Sequence, residues 1–139
     1  MNLQHLMQRL RTATGSTRRI DAELACYFVF KDLRPAEPND FDGKYGYSAG
    51  NIKVEHGFLQ ADPYTSHVDD AIALADRLLP GVWYHLARGK LRAEEPLYGA
   101  RLMFGDEVIG EGESDHRQAM AICIAIVDAL QRQETGGEQ

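Results

Sequence analysis

His67, Asp69 and Asp70 come nearest, by type and spacing, to a reactive cluster. His67 and Asp70 stand three apart and share one face of a helix, a spacing that a divalent cation could use. A zinc site takes three or four ligands, however, and no second cluster of His or Cys exists to complete one. Acids at the start of a helix are favoured in any case by its macrodipole. The sequence therefore implies no metal and no cofactor. Asp115-His116 has the types for acid–base work, and it too falls where a helix begins. His56 and His85 lie in strand-like segments. Cys26 and Cys123 sit among Ala, Tyr, Phe and Ile, where a thiol behaves as a small hydrophobe. Neither has a neighbouring His or helix start to make a thiolate. There is no phosphate-cradling Walker loop, no Gly-x-Ser-x-Gly and no His-Glu-x-x-His. The sequence names no catalytic residue, and nothing in it argues for an enzyme.

Recognition chemistry is better represented. Phe41, Tyr45 and Tyr47 are spaced among Gly, Asp and Asn in a segment rich in turn residues. Binding loops are often composed this way. Such aromatics also fold back onto the domain under a compact surface loop, and both readings stay open. If the loop binds, the acidic Glu111, Glu113 and Asp115 would steer a basic partner toward it. An alternative places a small ligand or nucleotide between this loop and a sheet, held by Tyr45, Tyr47 and Arg101. Arg9, Arg11, Arg18 and Arg19 invite a helix-turn-helix reading. The helix that would read DNA carries Asp21 and Glu23 on its polar side, and carboxylates repel the phosphate backbone.

These residues need elements to hold them. Leu3, Leu6, Met7, Leu10 and Ala13 recur at helical spacing until Gly15. Ser16 is placed to cap a second helix carrying Ile20, Leu24, Tyr27 and Phe28. A loop then runs through Pro35, Pro38, Gly43, Gly46 and Gly50, followed by a strand over residues 52–58. Ser66 and Asp69 have the outline of a capping box for a helix that Pro80-Gly81 ends. The run 82–87 predicts a strand buried to some degree on both faces, and 98–104 one with a single inward face. Gly105-Asp106 turns the chain through a two-residue hairpin into 107–111. Ser114 caps a last helix to about Arg132.

That last helix spreads its apolar residues over roughly 200°, about twice the stripe of an ordinary surface helix. One sheet cannot cover so wide an arc, so either the N-terminal helices or a second subunit must shield the flank. The expected fold is α+β: an α/β/α-type sandwich with a small, mainly antiparallel sheet and an N-terminal helical hairpin. Residues 1–135 form one domain, divided into a helical hairpin (1–30), a loop with a short strand (31–61) and a helix-strand-strand-strand-helix core (62–132). Residues 133–139 read as a flexible tail.

At 139 residues and 44% apolar content the chain has enough to fill a single core without staples. Its net charge of −6 opposes a generic nucleic-acid or anionic-membrane binder. No run approaches the length of a membrane span or a signal-peptide core. With two free thiols expected, the reading is a cytoplasmic protein.

Several segments together resemble one family. Pro63-Tyr64-Thr65-Ser66 followed by Val68-Asp69-Asp70-Ala71-Ile72-Ala73-Leu74 is similar to a segment of the phage ABA sandwich domain family. Leu79-Pro80-Gly81-Val82-Trp83 resembles that family's step into its first strand, with one residue inserted before the Trp. Gln118 to Ala125 is similar to its small-residue, Cys-containing closing helix. Leu10, Thr12, Ala13, Gly15, Ser16, Arg19, Ile20, Asp21 and Ala22 resemble its lead-in, without the customary proline. The resemblance implies an α/β/α-type sandwich of phage or prophage origin and carries over no activity or catalytic residue. The function expected is a non-enzymatic accessory protein that binds a host protein or protein complex, such as a host-defence or CRISPR assembly. A virion-associated homo-oligomer is a further alternative, and the wide apolar arc gives a homodimer some weight.

Overall fold

The computed structural model describes residues 1–14, 16–41, 48–92 and 95–136, with the backbone alone at 90–92, 95, 96 and 136. Helix α1 spans Leu3–Arg11 and buries Leu3, Leu6, Met7 and Leu10 along one side. Its start is capped by Asn2, whose side-chain oxygen accepts from the His5 N–H at 2.8 Å. Helix α2 spans Arg18–Phe28. Thr17, not Ser16, is its N-cap, and it makes no side-chain cap bond. Thr17 is committed to a buried contact with Thr65 instead.

Strands β1 (Arg34–Pro35), β2 (Asn51–Val54) and β3 (Gly57–Gln60) form a small antiparallel sheet in that order. The single strand expected over 52–58 is thus a hairpin. Glu55-His56 makes its turn, and Gly57 at φ +132° takes a backbone state that other residues avoid. His56 consequently sits on an exposed tip rather than on a strand.

Helix α3 spans Val68–Leu78, and the expected capping box does not form. His67 is the N-cap, without a side-chain bond. The backbone N–H groups of Ser66 and His67 both turn back to the Pro63 carbonyl. Gly81, at φ +85°, takes the chain out of the helix.

The main sheet is antiparallel, in the order β4 (Trp83–Arg92), β5 (Glu95–Phe104), β6 (Glu107–Ser114). Gly105 at φ +57°, followed by an Asp106 with negative φ, is the pattern of a type II′ turn, as the sequence suggests. A bulge in β6 falls between the pairs Leu102–Gly110 and Met103–Val108. The strand expected to be buried on both faces, β4, is exposed on both: Trp83 retains 40% of its surface, Tyr84 36% and Leu86 38%. Its apolar residues mark an edge, not a core.

Helix α4 (Gln118–Gly136) begins under the Ser114 side chain, whose Oγ accepts from the N–H groups of His116 and Arg117. It continues through residues 133–136, which were expected to be tail. Its broad apolar arc is buried on two sides, against β5 and β6 on one and against α1 and α3 on the other. Ile122, Ile126 and Val127 are wholly inaccessible, and each such side chain stabilises the fold by about 1.5–3 kcal/mol. The chain's own helices therefore supply the cover that the wide arc demands. The class is α+β with N-terminal helices, as expected.

Contact between α4 and the sheet is unusually close. Gly110 and Gly112 of β6 lie directly on the α4 backbone. A Cβ on Gly112 would run into the Ala121 carbonyl, and one on Gly110 into that of Ala125. The absence of side chains there lets α4 settle over β6, and β4 is left projecting beyond the helices.

Candidate functional site

The residues that suggested chemistry are dispersed. His67 Nδ1 lies 3.6 Å from Asp70 on an exposed helix start. Among the described residues no group of three or more His, Cys, Asp or Glu is arranged to hold a metal. His116 and Asp115 are paired at 3.2 Å, both more than half exposed. They rim an open cleft of about 370 Å³ shared with Ala13, Thr17, Arg117 and Met120. Cys123 is fully buried, and its Sγ donates to the Tyr64 carbonyl at 3.2 Å. Burial raises its pKa, as it does that of Cys26, so neither thiol is an activated nucleophile.

Arg9, Arg18 and Arg19 are engaged by groups of the fold, whereas Arg11 is exposed. Arg9 pairs with Glu23 at 2.9 Å, and Arg18 with Asp21 at 2.8 Å. Arg19 reaches the Ala36 carbonyl and Glu37, each at 2.6 Å.

Asp21 belongs to a buried network that joins two of the segments behind the family resemblance. Its Oδ1 accepts from both the backbone N–H and the hydroxyl of Thr65, and its Oδ2 accepts from Arg18. The Arg18 guanidinium also donates to the Ala61 carbonyl, while Arg117 donates to Thr17. Desolvation raises the pKa of Asp21, against the opposing pull of Thr65 and Arg18. Through these bonds the network clamps α2, the turn before α3 and the start of α4 together. Tyr64, next to it, has its phenol pushed up to about 12 by burial and by nearby Asp62.

The surface that remains available is the side of the main sheet facing away from α4. Strand alternation places Trp83, His85, Ala87 and Gly89 of β4 there, opposite Met103, Arg101, Gly99 and Leu97 of β5. Glu111 and Glu113 of β6 follow, opposite Arg101 and Gly99. Trp83, His85 and Arg101 are exposed on this face, while Met103 at its end is buried. The middle of the face is a hollow of about 590 Å³ floored by Ala87, Gly89 and Gly99. A Cβ at Gly89 would meet nothing within 4 Å. Trp83 and His85 stand at one side of the hollow, edge to face with centroids 4.7 Å apart. Arg101, directly across from His85, lies 3.4 Å from Glu111, which also faces Arg132 of α4 at 3.8 Å.

Three of the residues singled out in the sequence, Arg101, Glu111 and Glu113, therefore meet on one face. Asp115 lies beyond the end of β6. Phe41 folds back and stacks on Phe58, with ring planes 2° apart and centroids at 4.2 Å. Tyr45 and Tyr47 lie outside the described residues. The arginine proposed for a small ligand is already engaged by Glu111. Trp83 and His85 were not recognised as site residues, because the alternation that carries them was read as a doubly buried strand. Arg88, Lys90 and Arg92 in the same run were the available signal, since cations along one strand mark an edge.

No protein-family model matches the chain, the phage ABA sandwich family included, and no curated protein is significantly similar. A solved structure described as a phage protein from Bacillus cereus ATCC 14579 is similar in fold. The TM-score is 0.49 and the identity 14%, over 86% of this chain and 93% of that one. A likeness of this degree speaks to neither activity nor partner. No described helix is long and apolar enough to cross a membrane.

Proposed function

We propose that this chain is a non-enzymatic binding protein whose working surface is the bare face of the β4–β5–β6 sheet. The supporting observation is the hollow floored by Ala87, Gly89 and Gly99, with the Trp83–His85 pair at one end and the Arg101–Glu111 pair beside it. A floor with no side chain larger than a methyl lets a partner approach the sheet backbone closely. An aromatic anchor beside it supplies the kind of contact that dominates protein interfaces. Glu113 adds a negative rim suited to a basic group on the partner.

The sequence resemblance to phage proteins supports a host protein or protein complex as the partner, of which a defence assembly such as a CRISPR effector is one instance. Affinity capture from a host extract tests this reading, with the Trp83→Ala/Arg101→Ala double variant run in parallel. The expected result is a stoichiometric complex that survives size-exclusion chromatography with the parent chain and disappears with the variant. A complex retained in full by the variant, or none formed by the parent at micromolar concentration, would contradict it.

A further inference from the structure

The two long edges of the main sheet are treated differently. At β6 the outward N–H of Glu111 donates to Asp128 of α4 at 2.9 Å, and α4 itself lies against Gly110 and Gly112. At β4, among the described residues, no group from outside the sheet reaches the strand's free side. β4 does carry a charge on its inward side, since strand alternation places Arg88 there beside Tyr84 and Leu86, over the Tyr98 ring. Tyr84 and Leu86 themselves lie beyond the reach of α4, with exposed Phe104 near them. They form an apolar shelf along an unpaired strand.

We propose that two copies of this chain associate through β4, antiparallel about a twofold axis, and merge their main sheets into one of six strands. The strand is complementary to itself in a register centred on Leu86. In that register Leu86 meets the partner's Leu86 at the axis. Tyr84 lies opposite the partner's Arg88, Trp83 opposite the partner's Gly89, and His85 opposite the partner's Ala87. Tyrosine faces a guanidinium, the indole covers a residue without a side chain, and no like charges are opposed. Arg88 already lies over the Tyr98 ring at 5.5 Å, so the partner's Tyr84 adds a second aromatic beside it.

Because β6 is capped and covered, β4 cannot continue head to tail onto the β6 of another copy. The association is therefore isologous and closes at two. It joins the two apolar shelves under the new strand pair and leaves both bare faces on the same side of the merged sheet. This proposal goes beyond the binding reading, which concerns the outer face and stands or falls on partner capture.

Sedimentation of the full chain up to about 100 µM tests the proposal, a range that reaches dissociation constants well above micromolar. The expected result is a concentration-dependent species of twice 15.6 kDa. Leu86→Arg, which places two cations at the axis, should weaken it at least about tenfold, equivalent to about 1.4 kcal/mol. Glu107→Ala, exposed on β6, should leave it unchanged. Circular dichroism of Leu86→Arg is expected to match the parent, since Leu86 is exposed in the single chain. A monomer throughout the range overturns the proposal and leaves β4 open to a strand from a different protein. A dimer indifferent to Leu86→Arg, or mass growing past two copies, overturns it as well.

Discussion

One edge of the main sheet is closed by its own fold and the other is left open, although both belong to the same three strands. At β6, glycines at positions 110 and 112 let α4 come down onto the strand, and Asp128 takes up the outward N–H of Glu111. At β4, Trp83, Tyr84 and Leu86 reach solvent, and no described residue outside the sheet caps the strand. An exposed apolar edge is a standing risk of unwanted association, which folds normally suppress. Here the protection is concentrated on one side. The difference separates the edge that holds the domain together from the edge that is free to meet something else.

The comparison can be broken at either edge, and the largest effect is expected on the closed side. Gly112→Ala drives a methyl into the Ala121 carbonyl and the Ala125 amide. Its overpacking cost, read by urea denaturation, is expected to be about 3 kcal/mol, whereas Gly89→Ala on the open side should cost under about 0.5 kcal/mol. Asp128→Ala leaves the Glu111 N–H without its acceptor and removes a 2.9 Å partner of Arg132. It should cost about 1–2 kcal/mol by the same assay and speed exchange of the Glu111 amide. Smallest in stability are the open-edge substitutions. Leu86→Arg and Trp83→Ala should each shift the unfolding free energy by no more than about 0.5 kcal/mol. Their effects should appear in association and in partner capture respectively.

Much of this arrangement is legible in the residues. The helical stripe of Leu3, Leu6, Met7 and Leu10, the Gly105-Asp106 hairpin and the Ser114 cap all form as their local chemistry requires. The arc of α4 was wide enough to show that one sheet could not cover it, and the covering elements are α1 and α3. Local patterning failed where a tertiary contact outweighs it. Thr17 and Thr65 give their hydroxyls to the Asp21 network; Ser16, one residue before the N-cap, still accepts the Arg18 N–H at 3.5 Å, and the Ser66 capping box is not realised. The Glu55-His56 turn was hidden because the alternation of 52–58 runs unbroken through it, and Gly57 was its only mark. For β4, the pattern Val82-Trp83-Tyr84-His85-Leu86-Ala87 is the same whether the strand is buried by its own chain or left for another. Periodicity reports that both faces are apolar and is silent on what covers them. Of the candidate site, Arg101, Glu111 and Glu113 were readable as charged groups. Their union on one bare face depends on strand register, which a single sequence does not specify.

Amide exchange followed residue by residue by NMR, at low micromolar and then at high concentration, tests the unequal edges most directly. In the dilute sample the Glu111 amide should be protected while the outward amides of 83–89 exchange freely, as unpaired edge groups do. At high concentration those β4 amides alone should gain protection. Outward β4 amides as slow as Glu111 in the dilute monomer would contradict the account, because the edge described as open would then already be closed.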